Sequence, residues 1–241
     1  MRAARSKKIL QGVSDTILNR QLFKQTDKLL VGISGGKDSL ALLDILHQLG
    51  YNNLFSIHVR IDKSAPLPFV AFCRERSDFT VIETDILSQV QSSKRKNTCY
   101  MCSRAKRKAL STYAVEHGFT KLALAHHKDD AIETLLLNLI FQREISTMLP
   151  NQELFKGNLE LVRPLYDTNE RDLARYSKLN NLPVSDWDCG HTSDNNRAWV
   201  KAQIKLWQKA HPKLKVAENI YRAMLNVNPD WLPQKLTDKK A

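Results

Sequence analysis

The residues with the clearest chemical potential form the stretch Ser-Gly-Gly-Lys-Asp-Ser, which stands between an apolar run and a segment with helical periodicity. Its glycines let the backbone turn sharply and bring bare N–H groups close to a ligand. The following helix presents the positive end of its dipole there. We therefore predict a phosphate-binding loop, with an ordinary glycine-rich turn and a serine cap as the alternative. The predicted loop residues are Ser34, Gly35, Gly36, Lys37, Asp38 and Ser39.

This loop does not follow the common nucleoside-triphosphate pattern, which requires Gly, four residues, and then Gly-Lys-Ser/Thr. Counting back from Gly36 places Val31 where the first glycine should stand, and Asp38 follows the lysine. The pattern therefore argues against kinase or GTPase chemistry. Asp38 is instead a candidate ligand for Mg²⁺, since that ion is commonly held by one or two carboxylates together with phosphate oxygens.

The cysteines form a second group of candidate residues, at positions 73, 99, 102 and 189. A Cys-x-x-Cys pair at a helix start lowers the thiol pKa and places two thiolates on one side of the helix. Soft thiolates suit iron–sulfur clusters. Zinc is an alternative, because His191 could complete a site with three cysteines, and a redox dithiol is another. Cys73 stands in an apolar run and is interpreted as a buried small hydrophobe.

A third group is the polar segment His126-His-Lys-Asp-Asp, which follows a predicted strand. Asp129 and Asp130 are candidates for helix caps. The alternative is that they serve, beside His126, as nucleotide contacts and an acid/base group. Lys106 lies four residues after Cys102. In a helix this is about one turn, so both side chains lie on the same face. The role of Lys106 is either catalysis or the binding of a polyanionic partner.

Alternating strand and helix patterns must position these groups. The predicted strands are 28–33, 54–59, 79–84, 121–125 and 159–165, with a polar loop at 88–98. The predicted helices are 3–26, 39–49, 68–76, 100–117, 129–141, 169–179, 194–210 and 214–226. The alternation predicts a doubly wound parallel α/β sheet, in which ligands bind at the carboxyl ends of the strands. We expect an N-terminal helix within 1–26, the α/β domain at 27–183 and a helical extension at 184–241.

The charge balance favours a polyanionic partner. Lys and Arg number 37 against 25 Asp and Glu, a net charge of +12, which most simply indicates nucleic acid, although a merely basic surface is the alternative. The segments Lys94-Arg-Lys96 and Arg104 to Lys108 flank the Cys-x-x-Cys pair. No apolar run approaches the roughly 18 residues of a membrane span. The basic N-terminus lacks the apolar core of a signal peptide, and we expect a cytoplasmic protein.

The loop resembles the signature of the PP-loop ATP pyrophosphatase family, whose members split ATP between the α- and β-phosphates and adenylate a substrate. Three further motifs resemble the TtcA/TtuA group of tRNA thiolases, with the cytidine-thiolating TtcA branch the most similar. They are Cys99-Tyr-Met-Cys102, Ala125-His-His-Lys-Asp-Asp-Ala-Ile-Glu-Thr134, and Arg163-Pro-Leu ahead of Cys189-Gly190. The resemblance runs from about residue 5 to residue 232.

This resemblance implies an enzyme that adenylates the C2 oxygen of a tRNA pyrimidine, an anticodon-loop cytidine, and replaces it with sulfur. It implies ATP at the 34–39 loop and His126, Mg²⁺, catalytic roles for Asp38, Asp129 and Asp130, and one for Lys106 by analogy with thiouridine-making relatives. It also implies a [4Fe–4S] cluster on Cys99, Cys102 and Cys189 whose fourth iron stays open for the transferred sulfur. A cysteine desulfurase or sulfide would supply that sulfur, and family members tend to be homodimers.

The sequence departs from the family at two positions. Asp186 replaces the first cysteine of a second Cys-x-x-Cys, and Ala125 replaces the usual glycine before His-His. Three other functions remain as alternatives. A tRNA 2-thiouridine synthase has the same fold and chemistry. An amine-adding ligase, such as a lysidine-forming enzyme, lacks the cysteine trio, and a non-catalytic binding paralogue would not need the intact loop.

Overall fold

The computed structural model describes residues 2–88, 98–186 and 196–233. The first helix, α1 (Arg2–Asn19), ends before residue 26, where it was predicted to end, and strands and helices then alternate as predicted. The elements that follow are β1 (Leu29–Ile33), α2 (Lys37–Gln48), β2 (Leu54–Arg60), α3 (Val70–Arg74), β3 (Asp78–Glu83), α4 (Thr98–Glu116), β4 (Lys121–Ala123), α5 (Lys128–Leu137), β5 (Asn151–Leu154), β6 (Leu159–Val162), α6 (Glu170–Leu179), α7 (Asn196–Ala210) and α8 (Val216–Leu225). Residues 89–97 of the predicted polar loop lie outside the described part.

The strands form one six-stranded sheet in the order β3-β2-β1-β4-β6-β5. Every pairing is parallel except that of β5 with β6, which is antiparallel. The predicted doubly wound α/β sheet is therefore confirmed, with one addition at its edge. Sequence analysis did not predict β5, because its residues Asn-Gln-Glu-Leu carry neither an apolar run nor β-branched side chains.

Strand β1 lies in the middle of the sheet and is buried along its whole length. Leu29, Val31 and Ile33 pack on one face, in the core that also contains residues of α1, α2 and α6. Leu30 faces the other way and packs with Ala114 of α4. A parallel strand that is covered on both faces reads as a continuous apolar run, which is why this segment could be predicted from sequence.

The strand order reverses between β1 and β4, so a crevice opens at the carboxyl ends of these two strands. The 34–39 loop follows β1, and the segment 124–127 follows β4. The structure therefore places both sequence motifs at the same rim of the sheet. Strand β4 ends at Ala123, two residues earlier than predicted.

The last two described α-helices, α7 and α8, pack against α5 around a separate apolar cluster that includes Ile132, Val200 and Tyr221. Hydrogen bonds to Asp167 connect α8 to the end of the N-terminal helix region. Arg20 donates two hydrogen bonds of 2.7 Å to the carboxylate of Asp167, and Tyr221 donates to the same carboxylate. No helix among the described residues is long and apolar enough to cross a membrane. The proposed division at 26/27 and 183/184 stays a prediction.

Candidate active site

Position 35 requires glycine for two reasons, the conformation of its backbone and the lack of space for a side chain. Its φ is +86°, a region that L side chains rarely adopt. A Cβ at this position would lie 2.6 Å from Cε1 of Phe69, which is itself buried. The loop can therefore turn here only with glycine, which keeps its backbone close to the sheet edge.

The two loop serines hold the shape of the turn. The Ser34 amide donates to Oγ of Ser39 at 3.1 Å, and the Ser39 hydroxyl donates to the carbonyl oxygen of Gly36 at 2.9 Å. The Gly36 amide donates to Oγ of Ser34 at 3.2 Å. Since these bonds close the loop on itself, both hydroxyls serve the structure of the loop before any ligand binds.

Helix α2 begins at Lys37, two residues earlier than predicted, with Gly36 as its N-cap. Among the residues that the structure describes, no side chain hydrogen bonds to the first turn as a cap. The first amides of a helix have no partner within the helix, and an uncapped N-terminus is suited to bind an anion. The loop and α2 together have the geometry that the predicted phosphate site requires, and phosphate binding there stays a prediction.

Asp38 occupies the first turn of α2 with one oxygen unsatisfied. Its Oδ2 accepts a hydrogen bond from Nζ of Lys37 at 3.0 Å, and Nε2 of His127 lies 3.9 Å away. Its Oδ1 is buried and has no hydrogen-bond partner within the described part of the chain. An orphaned carboxylate oxygen beside a phosphate site fits Mg²⁺, which takes one or two protein carboxylates and fills its remaining positions with phosphate and water.

Lys37 is held by a second carboxylate that sequence analysis did not identify. Glu170, the first residue of α6, accepts from Nζ of Lys37 at 3.1 Å and from Nζ of Lys201 at 2.6 Å. Burial alone would raise the pKa of Glu170, but the hydrogen bonds from Lys201 and Lys37 outweigh it and lower that pKa to about 2. Glu170 therefore links the loop, through ion pairs, to α7.

Both aspartates after β4 make capping hydrogen bonds. Asp130 accepts from the backbone amide of His127, the N-cap of α5, at 3.0 Å. Asp129 accepts from the amide of Glu170 at 2.7 Å and so caps α6. The cap alternative is thus realised for both residues, and their catalytic role stays a prediction. Arg197 of α7 reaches the same rim, 3.5 Å from Asp130 Oδ1 and 3.0 Å from Glu133 Oε2.

His126 contacts Arg163, an arginine of the Arg-Pro-Leu motif to which sequence analysis assigned no role. Arg163 follows β6, is 2% exposed, and donates from Nε to Nδ1 of His126 at 3.3 Å. It also donates to the carbonyl oxygen of Leu149 and, at 3.4 Å, to Oε1 of Gln152. Burial, followed by the charge of Arg163, lowers the pKa of His126 to about 4. His126 is therefore neutral at pH 7.

A cavity of about 260 Å³ adjoins the loop at the carboxyl ends of β1 and β2. Arg60 shapes one wall by donating to the carbonyl oxygens of Asp62, Lys63 and Ala65. Lys106 of α4 also lines the cavity, and its charge adds to the burial that lowers the pKa of His58. The lining residues are Ser34, Gly36, His58, Val59, Arg60, Ile61, Asp62, Ala65, Pro66, Leu67, Phe69, Lys106 and Ser185.

The structure describes only part of the predicted cluster site. Cys99 lies in the first turn of α4, and Cys102 packs beside the buried pair Val59 and Ile86. Cys189 lies outside the described residues, and the described residues contain no complete group of metal-ligating side chains. Cys73 is fully buried, and burial raises its pKa to about 12, so its thiol stays protonated.

Sequence analysis thus missed three residues of this rim. Arg163 had a signal, since it belongs to a quoted motif, but nothing in that motif indicates burial against His126. Glu170 and Arg197 had none, because an acidic residue in a first helical turn and a basic one near a helix start are common. Their importance comes from the packing of α6 and α7 beside the loop.

Known proteins agree with this fold and loop. The chain matches, over residues 4–205, the family model described as a PP-loop domain. It is 35% identical to a tRNA-cytidine(32) 2-sulfurtransferase of Methylococcus capsulatus, covering 94% of this chain and 81% of that protein. It is 34% identical to a tRNA-cytidine(32) 2-sulfurtransferase of Marinobacter nauticus, covering 94% and 78%.

Solved structures are similar in fold. A U34-tRNA thiolase, NcsA, from Methanococcus maripaludis, solved with its [4Fe–4S] cluster, superposes with a TM-score of 0.75 at 20% identity, covering 95% of this chain and 81% of that one. An NMN synthetase from Francisella tularensis has a TM-score of 0.53 at 13% identity, covering 93% and 92%.

The chain therefore belongs to the PP-loop family and, within it, to the family of tRNA-cytidine(32) 2-sulfurtransferases. This membership confirms the resemblance drawn from the motifs and, with it, the enzyme class of a tRNA sulfurtransferase.

Proposed function

We propose that the protein uses ATP to activate the C2 oxygen of a cytidine in the tRNA anticodon loop and replaces that oxygen with sulfur. One observation carries this proposal. Helix α4 places Lys106 in the wall of the cavity beside the loop, and it carries Cys102 one turn earlier. One helix therefore joins the cavity beside the loop to the cysteine pair, which supports a reaction that uses ATP at the first and sulfur at the second.

ATP binds across the loop and the cavity. The triphosphate meets the uncapped first turn of α2, while the nucleoside part fills the cavity next to Ser34 and Gly36. Mg²⁺ would bind Asp38 through the buried Oδ1 and would neutralise the charge of the leaving pyrophosphate. Lys37, now paired with Asp38 and Glu170, is within the same turn and supplies a further cation to the phosphates.

The reaction has two steps. The C2 oxygen attacks the α-phosphorus, the bond to the β-phosphate breaks, and pyrophosphate leaves. A sulfur nucleophile then attacks C2, and the C2–O bond breaks as AMP departs with the oxygen. The residues at the rim orient the reactants and exclude water, since an adenylated base is open to hydrolysis.

The thiolates of Cys99, Cys102 and Cys189 would hold a [4Fe–4S] cluster, which when bound supplies sulfur in a transferable form. The described part of the site fits this role. Cys102 packs beside Val59 and Ile86, and an apolar shell of this kind limits the access of solvent to a cluster. A cysteine desulfurase or free sulfide would be the sulfur donor.

The tRNA is expected to bind across α4, where Arg104, Arg107 and Lys108 are exposed. Phosphate contacts at these side chains would set a base close to Cys102. A cytoplasmic location and a homodimer complete the proposal.

The test is a reaction of the anaerobically reconstituted protein with ATP, Mg²⁺, sulfide and unmodified tRNA. We expect AMP, pyrophosphate and 2-thiocytidine, identified by nucleoside mass spectrometry. Formation of 2-thiouridine would move the protein to the uridine-thiolating branch. ADP and orthophosphate as main products would overturn the assignment of the loop.

A further inference from the structure

We propose that Arg163 is a positioning residue that locks His126 as the neutral ring with its proton on Nε2, so that His126 donates a fixed hydrogen bond to a phosphate oxygen of the nucleotide. This inference rests on the proposed function for the identity of the acceptor. The protonation state of the ring, in contrast, follows from contacts within this chain.

The first step of the argument is the direction of one hydrogen bond. A guanidinium has only donors. Arg163 Nε therefore donates to Nδ1 of His126 across their 3.3 Å separation, and Nδ1 must carry a lone pair. A ring that accepts at Nδ1 is neutral and holds its proton on Nε2. In the described part of the chain, Nε2 makes no hydrogen bond, so this N–H remains available to a ligand.

The second step is the fixed position of Arg163. The side chain is buried, and none of the described carboxylates forms an ion pair with it. Burial, followed by the charge of Arg107, lowers the pKa of Arg163 to about 10, which still leaves it charged at pH 7. Hydrogen bonds to Leu149 and Gln152 hold the other two nitrogens. With all three nitrogens engaged, the guanidinium cannot turn away from His126.

The third step concerns the other charges around His126. Burial and three cations, Arg163 after β6, Arg107 of α4 and Arg197 of α7, disfavour a second proton on the ring, and Asp130 of α5 opposes them. A neutral imidazole with a pKa of about 4 is a weak base at pH 7. Its N–H is nevertheless a good donor to developing negative charge, and a neutral histidine can stabilise such charge without giving up a proton.

The experiment measures the ring directly. The protein has 7 histidines, and nitrogen-15 labelling of histidine would give a set of ring signals from which His126 is assigned by its loss in His126→Gln. We expect Nδ1 unprotonated and Nε2 protonated at pH 7, with no titration down to about pH 5. In Arg163→Met, the pKa of His126 should rise from about 4 but stay below its ordinary value of about 6.5, because burial, the largest cause of the lowering, remains. A protonated Nδ1 in the wild-type protein would overturn the inference, and His126→Gln serves only to assign the signal.

Activity provides the second readout. His126→Gln keeps an N–H donor near the position of Nε2, whereas His126→Asn places its amide near that of Nδ1. We expect pyrophosphate release to stay within about tenfold of the wild type in the first variant and to fall about 100-fold or more in the second, the usual loss of one such donor. Equal losses would refute the donor role. If the wild-type protein itself releases no pyrophosphate, the proposed function fails, while the ring spectrum still decides the role of Arg163.

Discussion

Lys37 and Asp38 contact each other in this structure, although the proposed reaction needs one at the phosphates and the other at Mg²⁺. The lysine also forms an ion pair with Glu170, and Glu170 forms a second ion pair with Lys201. Glu170 can therefore release Lys37 to the triphosphate without being left unpaired. The loop residues could be predicted from sequence because they form one contiguous motif. Glu170 could not, because it reaches the site only through the packing of α6 against α2.

Lys106 can be separated from its basic neighbours by a matched pair of substitutions. Lys106 is partly buried and lines the cavity, whereas Lys108 lies on the exposed side of the same helix. We expect Lys106→Ala to slow pyrophosphate release about 100-fold, because a cation beside the nucleotide stabilises the developing charge. Lys108→Ala should leave that step unchanged and weaken tRNA binding.

The measurement is single-turnover pyrophosphate release at saturating tRNA, together with tRNA affinity as a function of salt. The Lys108 variant should lower the salt slope by about one unit. If both variants weaken tRNA binding equally and leave pyrophosphate release intact, Lys106 belongs to the tRNA surface.

Helix α6 joins the two sides of the site at its N-terminus. Asp129 caps its first amide, and Glu170 bridges Lys37 of α2 and Lys201 of α7. Because α7 begins at Asn196, close in sequence to Cys189, these contacts connect the loop to the chain segment that carries the third cysteine. A second connection is direct, since the amide of Ser185 donates to the carbonyl oxygen of Gly35 at 3.0 Å.

The Glu170 bridge predicts a pH dependence of stability. The pKa of Glu170 is lowered to about 2 in the folded protein, against about 4.3 in an unfolded chain. Its contribution is therefore fully present above about pH 4.3 and is lost as the pH falls toward 2. We expect Glu170→Gln to lower the free energy of unfolding by about 1–3 kcal/mol at pH 7, and by progressively less below pH 4.

Urea unfolding at several pH values would measure this difference, with the exposed Glu116→Gln as the control. A difference between wild type and Glu170→Gln that stays constant from pH 7 to pH 3 would show that the bridge does not supply the stability.

Strand β5 shows what the sequence could not predict at the level of elements. Its polar residues give no strand pattern, and it forms only because β6 offers an edge with free backbone groups. Through Gln152 it also helps to hold Arg163. The long strand and helix patterns around it were predictable because they are buried on one or both faces, and burial leaves a periodic signature.

The net charge of +12 belongs to the whole molecule. If it serves tRNA, the affinity should fall steeply as salt rises, because each neutralised phosphate releases counterions. Reversing the charges of Lys94, Arg95 and Lys96 should remove much of the affinity at low salt and flatten the slope. The same change at Lys209, Lys213 and Lys215 is the control. Filter binding from about 50 to 200 mM salt would measure both, and equal effects would mean a diffuse basic surface.

The molecule as a whole is expected to separate its two half-reactions. In the proposed reaction, activation belongs to the loop and sulfur delivery to the cysteines, and the steps are sequential. Cys102→Ala should therefore bind ATP and tRNA and release pyrophosphate slowly, yet form no thionucleoside. Asp38→Ala should keep the visible absorption of a reconstituted cluster but lose pyrophosphate release about 100-fold or more, because the metal is no longer held.

Asp62→Asn is the matched control for Asp38→Ala. Asp62 lines the same cavity, but its carboxylate is turned to Ser64, whose backbone amide and hydroxyl donate to it at 2.8 and 2.7 Å. We expect this variant to keep both steps. Each protein is scored for pyrophosphate and for the 2-thio nucleoside by mass spectrometry. Thiolation by Asp38→Ala at the normal rate would rule out activation at the loop. Thiolation by Cys102→Ala would mean that Cys102 is not needed to deliver the sulfur.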